Sequence, residues 1–425
     1  MKNESIHRSQ QMYIVQAALE YFIAILMAGS YLATLTNHLG ISDSVTGIIS
    51  SIISLGCVFQ LLSAFLNRNR VKKTVITFSI LNQLLFMMLY LVPLTNFGSE
   101  LKIILFVVMI VLAYVIYNAI MPLKTNWLMS LIEDSRRGIF TARKEIFSLL
   151  SGMIFTFITG RIIDHFRDSG RIETALLICG VIIFLLNVMH TLLMIFMVEP
   201  DSGAPAKKAA PISDMFAALK DKDVQHITIL FCLWNVAAYS ATPFYGSYQI
   251  KELGFSLTFV SILSMAYSIL RALCSTRWGR FADKNSFAKV LQIGLVLEAL
   301  AYLVNVFTVP ANGSWCYTLY YMMTAVASAG LNSAKFNLVF DYIPADRRSN
   351  ALAVSQALSG VVGFVTTLIV SRLVSFIQES GNMLFGISVY AQQVCSLLAF
   401  VLTILLSVYV TRVIMKGMKR LKDSD

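Results

Sequence analysis

Twelve apolar runs, each long enough to cross a lipid bilayer, constrain this chain of 425 residues more than any other feature. A spanning helix needs about 20 mostly apolar residues. Mean hydropathy is +0.71, and hydrophobic residues make up 57% of the chain against 13% for charged ones, a balance unlike that of soluble domains. The chain does not show the ten-residue alternation that is typical of barrel strands. We therefore predict an all-α membrane protein.

The longest polar stretch divides the predicted spans into six and six. It reads EPDSGAPAKKAAPISD and has the composition of a linker. We predict a first six-helix bundle over residues 1–199, a cytoplasmic linker over 200–223, and a second bundle with a short tail over 224–425. The twelve predicted spans lie near residues 12–36, 44–66, 74–95, 101–131, 139–162, 174–198, 224–250, 257–277, 286–309, 315–343, 349–377 and 384–411.

Basic residues are distributed unevenly between the loops on the two sides of the membrane. With the N-terminus in the cytoplasm, cytoplasmic segments hold 25 of the 34 Lys and Arg residues. This bias predicts a multi-pass protein of the cytoplasmic membrane with both termini inside. The net charge of +11 then reflects topology, and no nucleic-acid partner is expected. The six cysteines are scattered through apolar segments and match neither a metal-binding spacing nor a disulfide framework, so no metal or cofactor is expected.

One segment of 38 residues occurs twice in the chain. Residues 124–161 and 335–372 are identical at 11 positions, where roughly two or three would arise by chance. A half-chain period indicates two related helical bundles, an architecture of secondary transporters. Small residues in the repeat recur every four positions, which predicts close helix packing. The identical pairs include Lys124/Lys335, Asn126/Asn337, Arg136/Arg347, Ser148/Ser359, Gly152/Gly363, Thr156/Thr367 and Arg161/Arg372.

A second pair of motifs follows spans two and eight. The sequence GRFADKN at residues 279–285 resembles the G-x-L-A-D-R/K loop of the major facilitator superfamily. SAFLNRNR at residues 63–70 is similar to a degenerate copy, in which Asn67 replaces the acid. The resemblance extends over the whole chain without reaching a subfamily. It implies twelve transmembrane helices in two pseudo-symmetric six-helix bundles, working as a secondary transporter by alternating access.

The resemblance also implies a conformational latch. In the family, the acid of this loop contacts the start of a helix in the opposite bundle, and here that acid is Asp283, followed by Lys284. Gly279 would allow the helices to approach closely. The repeat relation gives Arg143 and Lys144, at the start of span five, as the partners. The alternative is that Asp283 only caps a turn.

Three ionisable residues fall deep inside predicted spans. Glu20 lies in span one, Lys124 in span four and Lys335 in span ten, each roughly 12 Å from the cytoplasmic boundary at about 1.5 Å per residue. Charged groups at this depth usually face a cavity or a partner. The family resemblance implies that these three spans line the central cavity. Two lysines there would suit a small polar or anionic organic solute.

The ionisable residues inside the predicted spans leave alternatives open. A buried carboxyl group favours its neutral form, which makes Glu20 the candidate for proton coupling. Alternatively, Glu20 forms a static ion pair with one lysine. Arg271 in span eight either binds substrate or extends to the membrane surface. Glu298 in span nine is expected to turn inward to a polar partner, and the sequence assigns it no role.

Span seven contains aromatic and amide side chains beside helix-bending residues. Pro243 and Gly246 in WNVAAYSATPFYGSY can bend the helix and expose backbone carbonyl groups. Aromatic and amide groups there could stack on and hydrogen-bond a solute, although aromatic residues in a helical bundle also serve packing. The candidate substrate-binding residues of span seven are Trp234, Asn235, Tyr239 and Tyr245. Tyr31 of span one and the repeated asparagines Asn126 and Asn337 are added to them.

The sequence predicts a transporter rather than an enzyme. It has no Walker loop, dinucleotide-binding fingerprint, metal cluster or catalytic triad. The expected partners are the lipid bilayer, a small solute and protons, and the protein is expected to act as a monomer. Two alternatives stay open: an exporter of amphipathic drugs or metabolites, and a transporter-like sensor that binds ligand without moving it.

Overall fold

Long helices make up nearly all of the described chain. A computed structural model describes residues 2–66, 70–133, 136–199, 217–344, 347–384 and 386–417. Before the linker, the helices are α1 (Lys2–Leu26), α2 (Gly29–His38), α3 (Asp43–Ser51), α4 (Gly56–Gln60), α5 (Val71–Leu91), α6 (Ser99–Ser130), α7 (Arg137–Asp168) and α8 (Ile172–Phe196). After it come α9 (Lys222–Tyr239), α10 (Thr242–Ser247), α11 (Leu257–Lys284), α12 (Phe287–Val306), α13 (Gly313–Tyr342), α14 (Arg348–Glu379) and α15 (Ala391–Tyr409).

Short elements connect these helices. A two-stranded antiparallel hairpin, β1 (Met383–Leu384) and β2 (Ile387–Ser388), lies between α14 and α15. The 3₁₀ turns are Ile52–Leu55, Leu61–Phe65, Val92–Leu94 and Ala218–Lys220, and the π-helical turns are Tyr248–Glu252 and Val410–Ile414.

The described helices confirm a multi-pass membrane fold. Ten helical stretches are long and apolar enough to cross a bilayer. Two of them join several elements, Asp43–Ser63 with α3 and α4 and Lys222–Glu252 with α9 and α10. An eleventh span results if α1 and α2, which are bent by 46° at their junction, form one span. Helix α13 has 30 residues but is not among these spans, since serine, asparagine and tyrosine side chains lower its hydropathy. The twelfth span therefore stays a prediction.

Span seven is interrupted near the residues that the sequence indicated. Helix α9 ends at Tyr239, and α10 begins at Thr242 with Pro243 in its first turn. Proline is tolerated there because the first turn of a helix has no intrahelical acceptor for its missing N–H group. The π-helical turn Tyr248–Glu252 then continues directly from α10.

The chain forms two compact units, each with its own core. In the first unit, Trp127 and Leu128 of α6 are buried with Tyr13 of α1 and Met194 of α8. In the second unit, Leu291 of α12 is buried with residues of α9, α13 and α14. By chain range, the first unit is Met1–Ser42, Val58–Lys208 and Phe255–Ser261, and the second is Asp43–Cys57, Ala209–Gly254 and Ile262–Asp425.

The repeated small residues allow close helix packing within each unit, as predicted. In the first unit, Gly152 of α7 lies against the ring of Tyr21 of α1. In the second, Gly363 of α14 lies against the ring of Tyr239 of α9. Neighbouring hydrogen bonds support this second contact, because Thr367 Oγ1 donates to the Tyr239 carbonyl oxygen over 3.0 Å. Small residues matter here since lipid provides no hydrophobic driving force between helices.

Gly360 of α14 lies close to the backbone of another segment of the second unit. A Cβ atom at this position would overlap the backbone carbonyl oxygen of Ser54, whose hydroxyl donates to the Gly360 carbonyl oxygen over 3.0 Å. Backbone atoms cannot move aside as a flexible side chain can. The contact therefore requires glycine.

We expect Gly360→Ala to lower the free energy of unfolding by about 1–3 kcal/mol, the usual cost of overpacking. The control is Gly279→Ala, because a Cβ atom there meets no heavy atom within 4 Å. Melting temperatures in detergent provide the measurement. Equal stability of the two variants would show that the contact of Gly360 with Ser54 is not tight.

Candidate functional site

The first unit contains a buried ion pair between two of the predicted site residues. Lys124 Nζ of α6 donates a hydrogen bond to Glu20 Oε2 of α1. The exposed fractions of the two side chains are 6% for Lys124 and 20% for Glu20. Each group removes the penalty that the other would incur as an isolated charge among apolar helices. Glu20 is thus paired, and both alternatives, a static ion pair and a proton-coupling group, stay predictions.

Two polar residues that the sequence analysis missed extend this pair into a network. Gln16, one turn before Glu20 on α1, donates from Nε2 to Glu20 Oε2 over 2.9 Å. The same Nε2 atom lies 2.7 Å from Nε2 of His190, a fully buried residue of α8. Two signals in the sequence could have identified these residues. One is a histidine within the apolar run of span six, and the other is a glutamine four positions before a buried acid.

The ion pair lines a pocket of about 440 Å³ in the first unit. This volume lies within the range of small-molecule sites. Lys144 and Glu145 of α7 add a second pair of opposite charges to the lining, and Lys144 Nζ lies 5.3 Å from the ring centroid of Tyr13. Tyr117 of α6 and Ser148 of α7 contribute hydroxyl groups. The pocket combines charged, hydroxyl and apolar groups, as a site for a polar organic molecule requires.

Lys335, the repeat mate of Lys124, has different surroundings. Its Nζ atom lies 4.6 Å from the ring centroid of Phe231 and 4.9 Å from that of Trp234, both on α9. Within the part of the chain that the structure describes, no carboxylate forms an ion pair with it. Aromatic faces attract a cation without neutralising it. The structure thus brings together Lys335 and Trp234, which the sequence named as separate candidates.

The remaining aromatic and amide candidates of spans one and seven take part in helix packing. Asn235 Nδ2 donates to the Ser359 carbonyl oxygen over 2.8 Å, and Tyr239 packs against Gly363. The hydroxyl of Tyr31 donates to the Thr156 carbonyl oxygen over 2.6 Å. Tyr245 is buried, with its hydroxyl 2.8 Å from Ser396 Oγ. These contacts favour the packing alternative, and substrate-binding roles for the four residues stay predictions.

For three further candidates, the described structure shows no contact with Lys124 or Lys335. Asn126 is exposed and lies about 200° around α6 from Lys124 at 3.6 residues per turn. The Asn337 amide donates to the Ser333 carbonyl oxygen of its own helix over 3.0 Å. Arg271 on α11 is exposed. Their roles in substrate binding likewise stay predictions.

The residues of the predicted latch are divided between the units. Asp283 and Lys284 are exposed at the end of α11, and Gly279 lies one turn before them with open space around it. Arg143 and Lys144 lie near the start of α7 in the first unit. Asn67 of the degenerate copy falls outside the described residues. The latch therefore stays a prediction.

Asp164 makes a set of contacts that sequence reasoning did not find. At the end of α7, its carboxylate accepts hydrogen bonds from the backbone N–H groups of Leu257 over 2.9 Å and Thr258 over 2.7 Å. It also accepts from the Thr258 hydroxyl over 2.6 Å and pairs with Arg167 over 2.9 Å. A carboxylate at these N–H groups satisfies free donors of the first turn of α11 and complements the helix dipole.

Asp43 of the second unit, like Asp164 of the first, contacts residues that are distant in the chain. This nearly buried acid in the first turn of α3 pairs with Lys251 Nζ over 2.6 Å. Its other oxygen accepts a hydrogen bond from Gln378 Nε2 of α14 over 2.7 Å. Asp43 and Asp164 each connect residues more than 90 positions apart, which a single sequence does not reveal.

Both repeated arginines that precede α7 and α14 form ion pairs. Arg136 lies 3.5 Å from Glu133, and Arg347 donates to Asp221 over 2.6 Å. Asp221 also caps α9 by accepting from the Asp223 N–H group over 2.9 Å. Burial opposes the ionised form of Asp221, but these hydrogen bonds outweigh it and hold the pKa of its carboxyl group below the usual value.

Several solved transporters share this fold. A point variant of the nucleoside transporter NupG matches with a TM-score of 0.73 at 14% identity, over 95% of this chain and 99% of that one. A D-xylose–proton symporter gives 0.68 at 12% identity, over 94% and 97%. A bacterial homologue of the human lysosomal transporter Spinster gives 0.66 at 12% identity, over 98% of each chain. At these identities the likeness establishes the fold alone.

The family match covers nearly the whole chain. The family model described as Major Facilitator Superfamily matches residues 14–367 and 227–417. No curated protein sequence matches the chain significantly. The family and the membrane-length helices identify a transporter and not an enzyme. The chain belongs to the major facilitator superfamily.

Proposed function

We propose that this protein moves a small polar or anionic organic solute across the cytoplasmic membrane by proton-coupled alternating access. Both termini would lie in the cytoplasm. The observation that carries the proposal is the difference between the two repeated lysines. Lys124 is paired with Glu20, whereas Lys335 has aromatic neighbours and, in the described chain, no acidic partner. A membrane-embedded cation without a counter-ion is a site for an anionic group.

The surroundings of Lys335 suit more than a bare anion. An ammonium group donates three hydrogen bonds and attracts a carboxylate, phosphate or phosphonate. The Trp234 ring beside it offers a flat apolar surface for the organic part of a solute. The D-xylose–proton symporter and the nucleoside transporter with the same fold carry polar organic cargo by name. These features together favour a polar organic solute with an acidic group.

The Glu20–Lys124 pair provides a way to couple protons to such a solute. A proton on Glu20 removes its negative charge and leaves Lys124 without a counter-ion. Lys124 is then able to bind an anion, so the proton and the anion each favour the binding of the other. This reciprocity is required of any coupling between two binding equilibria, and here it has the sign of symport. Asp283, with Arg143 or Lys144, would act as the latch between conformations.

The first prediction concerns ligand binding. Purified protein is screened by thermal shift against organic acids, phosphate esters, sugars and lipophilic cations. An anionic solute at about 100 times its dissociation constant should stabilise the fold by about 2.7 kcal/mol. The shift should vanish in Lys335→Ala and weaken in Lys124→Ala. It should persist in the control Lys289→Ala, which removes an exposed lysine.

The contrary outcome is also defined. Stabilisation by lipophilic cations that survives both substitutions, with no response to anions, would exclude an anion site at Lys335. It would favour the export of amphipathic compounds.

The second prediction concerns coupling. In proteoliposomes, the solute found in the screen should accumulate against its gradient when a proton gradient is imposed. Glu20→Gln should abolish this accumulation while sparing exchange of solute across the membrane, because the neutral amide holds Lys124 permanently without its counter-ion. Normal uphill uptake by the variant would remove Glu20 from coupling. Binding without any flux in the wild-type protein would instead identify a sensor.

A further inference from the structure

Glu298 is an acid of the second unit for which no cation is provided. It lies in the middle of α12, and one carboxylate oxygen, Oε2, is buried without a hydrogen-bond partner. Among the described residues, no ion pair with a lysine, arginine or histidine side chain involves Glu298. This is the opposite of Glu20, which has a lysine and a glutamine in direct contact.

The helix geometry turns Glu298 away from lipid. Ile293, Val296 and Leu300 form the exposed stripe of α12, with exposed fractions of 39%, 43% and 42%. At 3.6 residues per turn, Glu298 lies about 170° around the helix from the centre of that stripe. Tyr302 lies on the same inner face, one turn further along. Glu298 as a whole is half-buried, and its direction on the helix supports the prediction of an inward orientation.

Buried tyrosine side chains from three helices lie near the carboxyl group. Tyr245 of α10, Tyr302 of α12 and Tyr320 of α13 are all buried and interact electrostatically with it. Their ring centroids lie 5.4 Å apart for Tyr245 and Tyr320 and 6.3 Å apart for Tyr302 and Tyr320. The elements packed against α12 carry further titratable groups. They are Cys316, Tyr317, Tyr321, Lys335, Asp341 and Tyr342 of α13, Cys395 and Tyr409 of α15, and the exposed Arg412 of the following π-helical turn.

These surroundings favour a neutral carboxyl group. An ionised carboxylate without a counter-ion in a low-dielectric interior costs far more free energy than a carboxylic acid with hydroxyl neighbours. A bound metal ion would be the other way to remove the charge. No cluster of three or more His, Cys, Asp or Glu side chains that could hold a metal occurs in the described ranges. The proton is therefore the cation that fits.

We propose that Glu298 is a proton-binding site of the second unit, separate from Glu20, and that it exchanges its proton during transport. Binding adds one proton to the carboxylate and removes one negative charge, and release to water reverses both changes. Tyrosine hydroxyls both donate and accept hydrogen bonds, so Tyr245, Tyr302 and Tyr320 can stabilise either state of the group. Only the exchange during transport rests on the proposed function. Proton binding itself does not.

Infrared difference spectroscopy tests proton binding without a substrate. At neutral pH exposed carboxyl groups are ionised, so the carbonyl stretch of a carboxylic acid reports buried, protonated groups. The wild-type protein should show such a band, which shifts in heavy water and disappears when the pH is raised. Glu298→Gln should remove one carboxylic acid equivalent from the band. Glu298→Asp, which keeps the acid, should retain a displaced band.

Glu20→Gln is the matched control, because Glu20 is held as a carboxylate by Lys124 and should contribute nothing to the band. Retention of the full band in Glu298→Gln would overturn the proposal. A wild-type spectrum without the band, or its loss in Glu20→Gln instead, would do so as well.

Proteoliposome uptake then tests exchange. Glu298→Gln should reduce proton-driven accumulation at least tenfold while solute binding in the thermal-shift screen is unchanged. Normal uphill uptake by this variant would show that the Glu298 proton is structural and would contradict its exchange. Absence of flux in the wild-type protein would count against the proposed function, whereas the infrared result on Glu298 would stand independently.

Discussion

The interaction on which the functional site depends is the ion pair between Glu20 and Lys124. Neither charge is tolerated alone among apolar helices, yet together they bridge α1 and α6. Gln16 contacts Glu20 and also lies beside His190. A fully buried pair costs roughly 3–5 kcal/mol when one partner is removed. Because Glu20 retains some exposure to the pocket, we expect a smaller penalty here, about 2 kcal/mol. Under the proposed function, a pair of this strength would be stable at rest and would open when a proton or an anion binds.

Internal duplication has preserved residues while their environments have diverged. Lys124 and Lys335 occupy equivalent positions in the repeat, but one faces a carboxylate and the other faces Phe231 and Trp234. The acids show a parallel difference, since Glu20 is compensated and Glu298 is not. Glu20 and Lys124 are thus paired in the first unit, whereas Glu298 and Lys335 are each without an ion-pair partner in the described part of the second. Under the proposed function, this asymmetry would place proton binding and anion binding at different residues.

The sequence predicted the architecture because its causes are local or periodic. Apolar runs of bilayer length require helices, and the 38-residue repeat with the GRFADKN loop pointed to the family that the whole-chain match confirmed. The candidate lysines and Glu20 were identifiable because ionisable residues are rare in such runs. Trp234 was named for its chemistry, and its contact with Lys335 emerged only in three dimensions.

Other parts of the site were not predictable, for physical reasons. Which acid pairs with which lysine depends on how each helix is rotated about its own axis. Amino-acid composition carries no information about that rotation. The capping of α11 by Asp164 joins residues 93 and 94 positions apart and leaves no local pattern. His190 was overlooked because a single histidine in an apolar run is more often a packed residue than part of a polar network. Asn126 was included because it repeats, although its position two residues from Lys124 places it on the other side of the helix.

A double-mutant cycle on Glu20 and Lys124 tests the central claim most directly. The melting temperatures and unfolding free energies of Glu20→Gln, Lys124→Met and the double variant are compared with those of the wild-type protein in the same detergent. If the two charges compensate each other, each single variant leaves one charge unpaired, and the double variant is more stable than either. The two losses are then strongly non-additive. Additive losses, with the double variant the least stable of the three, would contradict the ion pair as the organising interaction of the site.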